Sequence, residues 1–139
     1  MRLRPLIKDI VNDVNAYPNI KINGISTNSR AIKKGSMFFA IKGSYHDGHD
    51  YIKDAIENKV SAVIANKTLK NLPVPLIKVK NTRKVLSKIA SRFYENPSKK
   101  LKIIGVTGTN GKTTTSSLIK SIFDSALSNM DFILSLIHI

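Results

Sequence analysis

The chain has 139 residues, enough for one ordinary domain and the beginning of a second, and too few for a complete two-substrate enzyme. With 42% hydrophobic and 6% aromatic residues, the composition is that of a globular α/β protein and excludes a disordered tail or a fibrous repeat. The net charge of +14 raises nucleic acid as a partner, but the lysines stand singly or in pairs and no RNA-binding aromatic signature accompanies them, so no nucleic-acid partner is expected.

A basic surface also suits a substrate that carries phosphates and carboxylates. The absence of cysteine excludes a disulfide framework and thiolate metal sites. The N-terminus has charge but no uninterrupted apolar stretch, so no secretory signal is expected and the cytoplasm is the default location. The apolar end, residues 132–139, is far shorter than the ~20 residues a bilayer span needs, so no membrane partner is expected either.

In chain order, Leu6, Ile7, Ile10, Val11 and Val14 recur at helical spacing and predict a short amphipathic helix ending before Tyr17 and Pro18. Ile20, Ile22 and, out of step, Ile25 predict a strand edge. Residues 36–41 form an apolar run after Gly35, the pattern of a strand buried on both faces. From His49 or Asp50 a helix carries Ile52, Ala55 and Ile56 on one face, with Asp50 as a cap and Asn58 as a left-handed stop. Residues 61–65 read as the next strand and residues 76–79 as another. The following helix shows Leu86, Ile89, Ala90 and Phe93 at helical spacing. A break at residues 96–100 contains Pro97, where a domain boundary is expected, and residues 101–106 predict a strand that runs into a glycine-rich turn. The fold class is therefore α/β: a small domain with a mixed or mostly parallel sheet flanked by helices over residues 1–97, then the start of a second over 98–139. Ligands are expected at the carboxyl ends of the strands.

The strongest chemical signal is Gly105-Val-Thr-Gly-Thr-Asn-Gly-Lys-Thr-Thr-Thr115, between an apolar strand and a stretch (Leu118, Ile119, Ile122, Phe123) that can form a helix. Glycines let the backbone curl so that successive N–H groups face a phosphate, and a helix N-terminus adds its positive dipole end. Lys112 is expected to hold the β and γ phosphates of ATP, and Thr113 to offer its hydroxyl to Mg²⁺. The commonest spacing of such loops would put glycine at Val106, so this is a variant. The bland alternative is a glycine turn that only joins strand to helix.

Upstream, Ser26-Thr-Asn-Ser-Arg30, Lys34-Gly-Ser-Met-Phe-Phe-Ala-Ile41, Gly43 and Asp47-Gly-His-Asp-Tyr-Ile52 fall in tight order, followed by Arg83, Phe93-Tyr94 and Asn96-Pro97-Ser98. Together with Gly108-Thr-Asn-Gly-Lys-Thr-Thr114 this resembles the Mur ligases, over nearly everything up to Phe123. Asn28, Ser36 and Lys59-Val60 depart from the family's aspartate, aspartate and Gly-Ala. The resemblance is strongest to the member that adds the third amino acid, with the D-Ala-D-Ala-adding member next.

The resemblance implies a UDP-muropeptide-binding domain at 1–97 and the beginning of an ATP-binding domain at 98–139. It implies that Gly108, Thr109, Asn110, Gly111, Lys112, Thr113 and Thr114 bind ATP, with Thr113 also on Mg²⁺. Thr27 and Ser29, neutral donors placed after a strand, would contact uridine and pyrophosphate together with Ser44, Tyr45 and His46. From the residues alone, Ser29-Arg30 reads as a hydrogen-bonded turn. His46 and His49, without carboxylates or cysteines in a ligand set, read as turn residues and not as a metal site.

The implied reaction is ATP-dependent amide formation, adding a diamino acid, meso-diaminopimelate or L-lysine, to UDP-MurNAc-L-Ala-D-Glu through an acyl phosphate, by a monomer. A non-catalytic UDP-sugar-binding module is the alternative. Residues 124–139 lack the family's pattern and read as foreign to it. One loop strand and one helix cannot make an ATPase core without neighbouring strands, so this chain alone is expected to be inactive.

Overall fold

A computed structural model describes residues 1–99 and 104–126. The chain divides into two units, Met1–Lys100 and Leu101–Ile139.

The first unit is built on a four-stranded sheet of β1 (Gly24–Ser26), β2 (Ser36–Phe39), β3 (Ala62–Ala65) and β4 (Leu76–Lys78). The strands lie side by side in chain order and every neighbouring pair is parallel. Every residue of β2 and β3 is buried, as expected for central strands covered on both faces.

The alternation of side chains along a strand sorts this apolar content into two layers. Met37, Phe39, Ala62, Ile64 and Ile77 face one side, where they join Leu3, Leu6 and Ile7 of α1 (Leu3–Ile7) and Ile89 of α3 (Thr82–Phe93). Phe38, Ala40, Val63 and Ala65 face the other, against Ile52 and Ala55 of α2 (Ile52–Glu57). The loop after β3 adds Leu69, Leu72 and Val74 to that second layer, which explains why a segment without regular structure still carries apolar residues.

Four expectations are corrected. The first helix ends at Ile7: Lys8 turns to an extended backbone and Asp9 is left-handed at φ 64°. Arg92 of α3 takes over carbonyls that a longer helix would use, donating to Leu6 O at 3.0 Å and to Lys8 O, and it pairs with Asp9 at 3.1 Å. Ile10, Val11 and Val14 still pack on the core, so their periodicity recorded burial and not helix.

Residues 20–22 are not part of the sheet. They pair antiparallel with the N-terminus, through Arg2 opposite Lys21 and Leu3 N–H to Ile20 O at 2.9 Å. The sheet strand starts only at Gly24, which accounts for Ile25 being out of step. Asp50 caps neither element at the start of the second helix: Asp47 caps the 3₁₀ turn Gly48–Tyr51, its side chain accepting from His49 N–H, and α2 follows from Tyr51 with no side-chain cap. At its end Asn58 is not left-handed (φ −77°). Lys59 is, at φ 60°, while the Asn58 amide holds Asp54 O at 2.9 Å.

In the second unit, residues 101–103 of the expected strand lie outside the described residues, as do 127–139, and Ile104 to Val106 have no strand pairing. Helix α4 (Lys112–Ala126) begins at the lysine of the glycine-rich loop.

The carboxyl of Asp47 is held well below the usual carboxylate range, first by the His49 backbone N–H, then by the Lys67 ammonium and the His49 ring. Its ionised form is therefore favoured by folding. That contribution is complete above pH ~4, where the unfolded carboxylate is also ionised, and is lost progressively as the pH falls below it.

Three outcomes are expected in thermal and urea unfolding. Ile64→Ala, which empties a fully buried position between β2 and β4, costs about 2–5 kcal/mol. Lys59→Gly relieves the left-handed strain and gains about 0.5–1 kcal/mol. Asp47→Asn, which keeps a cap acceptor but removes the charge, lowers the melting temperature at pH 7, and the deficit shrinks between pH 5 and pH 2. A deficit independent of pH would contradict this account of the carboxylate.

Candidate functional site

Because all four strands run the same way, their carboxyl ends share one edge of the sheet, and the chain leaves β1 and β2 there side by side. After β1 the backbone makes a tight turn on its own side chains. Ser26 Oγ accepts from Asn28 N–H at 3.1 Å and donates to Asn28 O at 2.8 Å, and Asn28 Oδ1 accepts from Arg30 N–H at 3.0 Å. This starts a 3₁₀ turn over Ser29–Ala31 with Ser29 buried. The Asn58 side chain donates to Ser29 O at 3.3 Å, tying the turn to the end of α2.

After β2, residues 42–47 form a narrow hairpin. Lys42 pairs with Asp47, and Gly43 N–H donates to His46 O at 2.8 Å. Gly48 closes it against the backbone: a Cβ there would meet Ile41 N at 2.6 Å and Ile41 O at 2.7 Å, so no larger residue fits without displacing the strand end. The Asp47 carboxylate binds the His49 ring through Nδ1 and Lys67 Nζ at 2.9 Å.

Between the two turns lies an open pocket of about 370 Å³ lined by Thr27, Asn28, Ser29, Arg30, His46 and Tyr51. The His46 and Tyr51 rings meet edge to face at 6.5 Å. Of the five residues predicted for this ligand, Thr27, Ser29 and His46 come together here. Ser44 and Tyr45 stand at the hairpin tip outside the pocket wall, with Tyr45 94% exposed. Hydroxyls, a side-chain amide and a guanidinium beside two aromatic rings form a lining that matches an anionic, ring-bearing ligand.

Asn28, Arg30 and Tyr51 complete the wall and were not among the predicted contacts. An Asn two residues before a turn amide is a legible Asx signal for the first two; nothing local marks Tyr51. Among the described residues, no group of three or more His, Cys, Asp or Glu side chains gathers to hold a metal ion, and no helix is long and apolar enough to cross a membrane.

In the second unit the glycine-rich loop leads straight into α4. Gly108 and Gly111 take φ values of 152° and 76°, conformations that favour glycine and let the loop bend onto itself. Thr115 N–H closes the first turn on Gly111 O at 2.9 Å. The Lys112 ammonium folds back over the loop, donating to Gly108 O at 2.6 Å and Thr109 O at 3.4 Å. Thr109, Asn110, Thr113 and Thr114 are exposed around it. A helix start, a cation and free hydroxyls on one small arc can take up an anion, the oxygens of a polyphosphate in particular. Leu118 and Ile122 of α4 are 60% and 65% exposed, and no residue of this helix is buried.

Known proteins resemble this chain in sequence and fold. Residues 21–94 match the family described as "Mur ligase family, catalytic domain", and residues 106–138 match "Mur ligase middle domain". A UDP-N-acetylmuramoyl-L-alanyl-D-glutamate--2,6-diaminopimelate ligase from Clostridioides difficile is 46% identical over 124 residues, covering 88% of this chain and 25% of that protein. The enzyme of the same name from Aquifex aeolicus is 48% identical over 102 residues, covering 73% and 21%. Among solved structures, MurF from Acinetobacter baumannii aligns with a TM-score of 0.62 at 29% identity, over 78% of this chain and 24% of that one. MurF ligase from Thermotoga maritima in complex with ADP aligns at 0.58 with 30% identity, over 77% and 26%. The chain thus spans about a quarter of the length of the relatives it matches. The pocket at the ends of β1 and β2, the glycine-rich loop heading α4 and these matches across both units agree, and the chain belongs to the Mur ligase family.

Proposed function

We propose that this chain supplies the substrate-holding and nucleotide-holding elements of an ATP-dependent ligase that joins meso-diaminopimelate or L-lysine to UDP-MurNAc-L-Ala-D-Glu. The observation that carries the reading is the 46% identity to a diaminopimelate-adding ligase over 124 residues, a stretch long enough to include most of both units. In this reading residues 1–97 bind the UDP-muropeptide, and residues 98–139 begin the ATP-binding domain. The D-Ala-D-Ala-adding ligase is the second reading, favoured by the fold likeness to MurF; its 29–30% identity supports it less than the sequence likeness supports the first.

Thr27, Ser29 and His46, with Ser44 and Tyr45 from the hairpin tip, hold the uridine and pyrophosphate. Their neutral donors and the Arg30 charge bind a diphosphate without a metal at that end. Binding energy gathered there, remote from the reacting carboxylate, is used to position the D-glutamate carboxylate for attack. In the second unit Gly108, Thr109, Asn110, Gly111 and Thr114 offer backbone and hydroxyl donors to ATP. Lys112 exchanges its carbonyl partners for phosphate oxygens, and the Thr113 hydroxyl is a ligand for Mg²⁺, which neutralises phosphate charge when bound.

The reaction in the whole enzyme moves the γ-phosphoryl group to the D-glutamate carboxylate with release of ADP. The amine of the incoming amino acid then attacks the acyl carbon, forming the amide and expelling phosphate. The UDP-linked precursor and ATP are cytoplasmic solutes, and the protein works there as a monomer.

Calorimetric titration of the 139-residue chain with UDP-MurNAc-L-Ala-D-Glu is expected to show saturable binding, weakened about 10- to 100-fold by His46→Ala, the loss of one hydrogen bond to a charged ligand. ATP turnover by this chain alone is expected to be absent. Duplex DNA is expected to bind only through salt-sensitive contacts. Sequence-selective DNA binding at physiological salt, with no response to the UDP ligand, would overturn the proposal.

A further inference from the structure

The hairpin of residues 42–47 carries three of the five residues assigned to the UDP ligand, yet residues 42–46 are all exposed and none is anchored in the core. Its two legs are instead gripped by cations from the next two strand ends. Lys67, two residues beyond β3, sets Nζ 2.9 Å from Asp47 Oδ2 on one leg. Arg83, the second residue of α3 and just beyond β4, donates to the Lys42 carbonyl on the other at 3.4 Å. Asp47 is at the same time the cap of the following turn and the partner of His49, whose side chain is only 5% exposed. The leg gripped by Lys67 is therefore fixed to a buried ring.

Lys67 is 54% exposed, and ion pairs at such positions contribute only about 0–1 kcal/mol to global stability. The grip acts locally. A hairpin held on both legs loses less conformational freedom when a ligand orders its tip, and that saving appears as affinity.

We propose that Lys67 and Arg83 are positioning residues, holding the two legs of the 42–47 hairpin so that Ser44, Tyr45 and His46 stand pre-formed for the UDP ligand. This rests on the reading of the pocket as a UDP site. Neither side chain has to touch the ligand: Lys67 acts through the Asp47 carboxylate, and Arg83 through a backbone carbonyl.

The test uses the 139-residue chain and its Lys67→Met, Arg83→Gln and Lys67→Arg variants, with Lys70→Met as a control that removes one positive charge from the same loop but no hydrogen bond to the hairpin. Amide relaxation of residues 44–46 without ligand is expected to show order parameters falling from about 0.85 toward 0.6 in Lys67→Met and Arg83→Gln, with melting temperatures within a few degrees of the parent. Titration with UDP-MurNAc-L-Ala-D-Glu is expected to show about threefold weaker binding in each, recovered in Lys67→Arg. Lys70→Met should leave both readouts near the parent values. Unchanged order parameters overturn the proposal. So does an unchanged Kd in variants of a chain that binds, or an equal loss in Lys70→Met, and these leave the UDP reading intact. A parent chain that does not bind the ligand removes the UDP reading and the proposal with it.

Discussion

The parallel pairing of four short strands is the constraint on which the first unit depends. Parallel strands cannot be joined by tight hairpins, so each return leg must cross a face of the sheet. Here all three connections, with Ile32, α2 and the loop after β3, lie on one face, and α1 and α3, before β1 and after β4, cover the other. Phe38 and Phe39 are adjacent in sequence yet belong to opposite layers, one under α2 and the other under α1 and α3. The same parallel arrangement sends every strand's carboxyl end to one edge. The turn after β1 and the hairpin after β2 are neighbours because β1 and β2 are also paired side by side, and the pocket lies between them.

What shapes that pocket is local hydrogen bonding of short polar side chains. Ser26, Asn28 and Asp47 each satisfy backbone amides of the next turn, and longer-range contacts, Asn58 to Ser29 O, Lys67 to Asp47 and Arg83 to Lys42 O, tie those turns to the rest of the unit. The Asp47 carboxylate has the largest share, since it caps a turn and holds His49 and Lys67 together. The second unit uses the same physics on a glycine-rich loop. There Lys112 satisfies the loop's own carbonyls, an arrangement that an incoming phosphate can replace with stronger, charge-assisted partners.

The buried strands were legible from their apolar runs, because a strand covered on both faces has little choice of residue; residues 36–41 and 61–65 contain β2 and β3. The third helix was legible from Leu86, Ile89 and Phe93. The first helix was misread because apolar residues at helical spacing, Ile10, Val11 and Val14, are buried from an irregular segment. Its early end depends on Arg92, more than eighty residues away, and no local pattern carries that information. The stop after α2 was shifted by one residue because the Asn58 side chain bonds Asp54 O and Ser29 O while Lys59 accepts the left-handed turn. Thr27, Ser29 and His46 are implied as contacts only by the family resemblance, since their residues alone read as turns, whereas Tyr51 and the Lys67 contact to Asp47 depend on spatial closure that spacing does not encode.

The central claim is that the edge formed by the ends of β1 and β2 receives the UDP end of the muropeptide. Amide chemical-shift mapping of the 139-residue chain during addition of UDP-MurNAc-L-Ala-D-Glu tests it most directly. The account predicts saturable shifts concentrated at Thr27, Asn28, Ser29, Arg30 and residues 43–47, with the N-terminal residues 10–17 unmoved. Shifts confined to residues 10–17, or spread evenly over the lysine-rich surface without saturation, would contradict it.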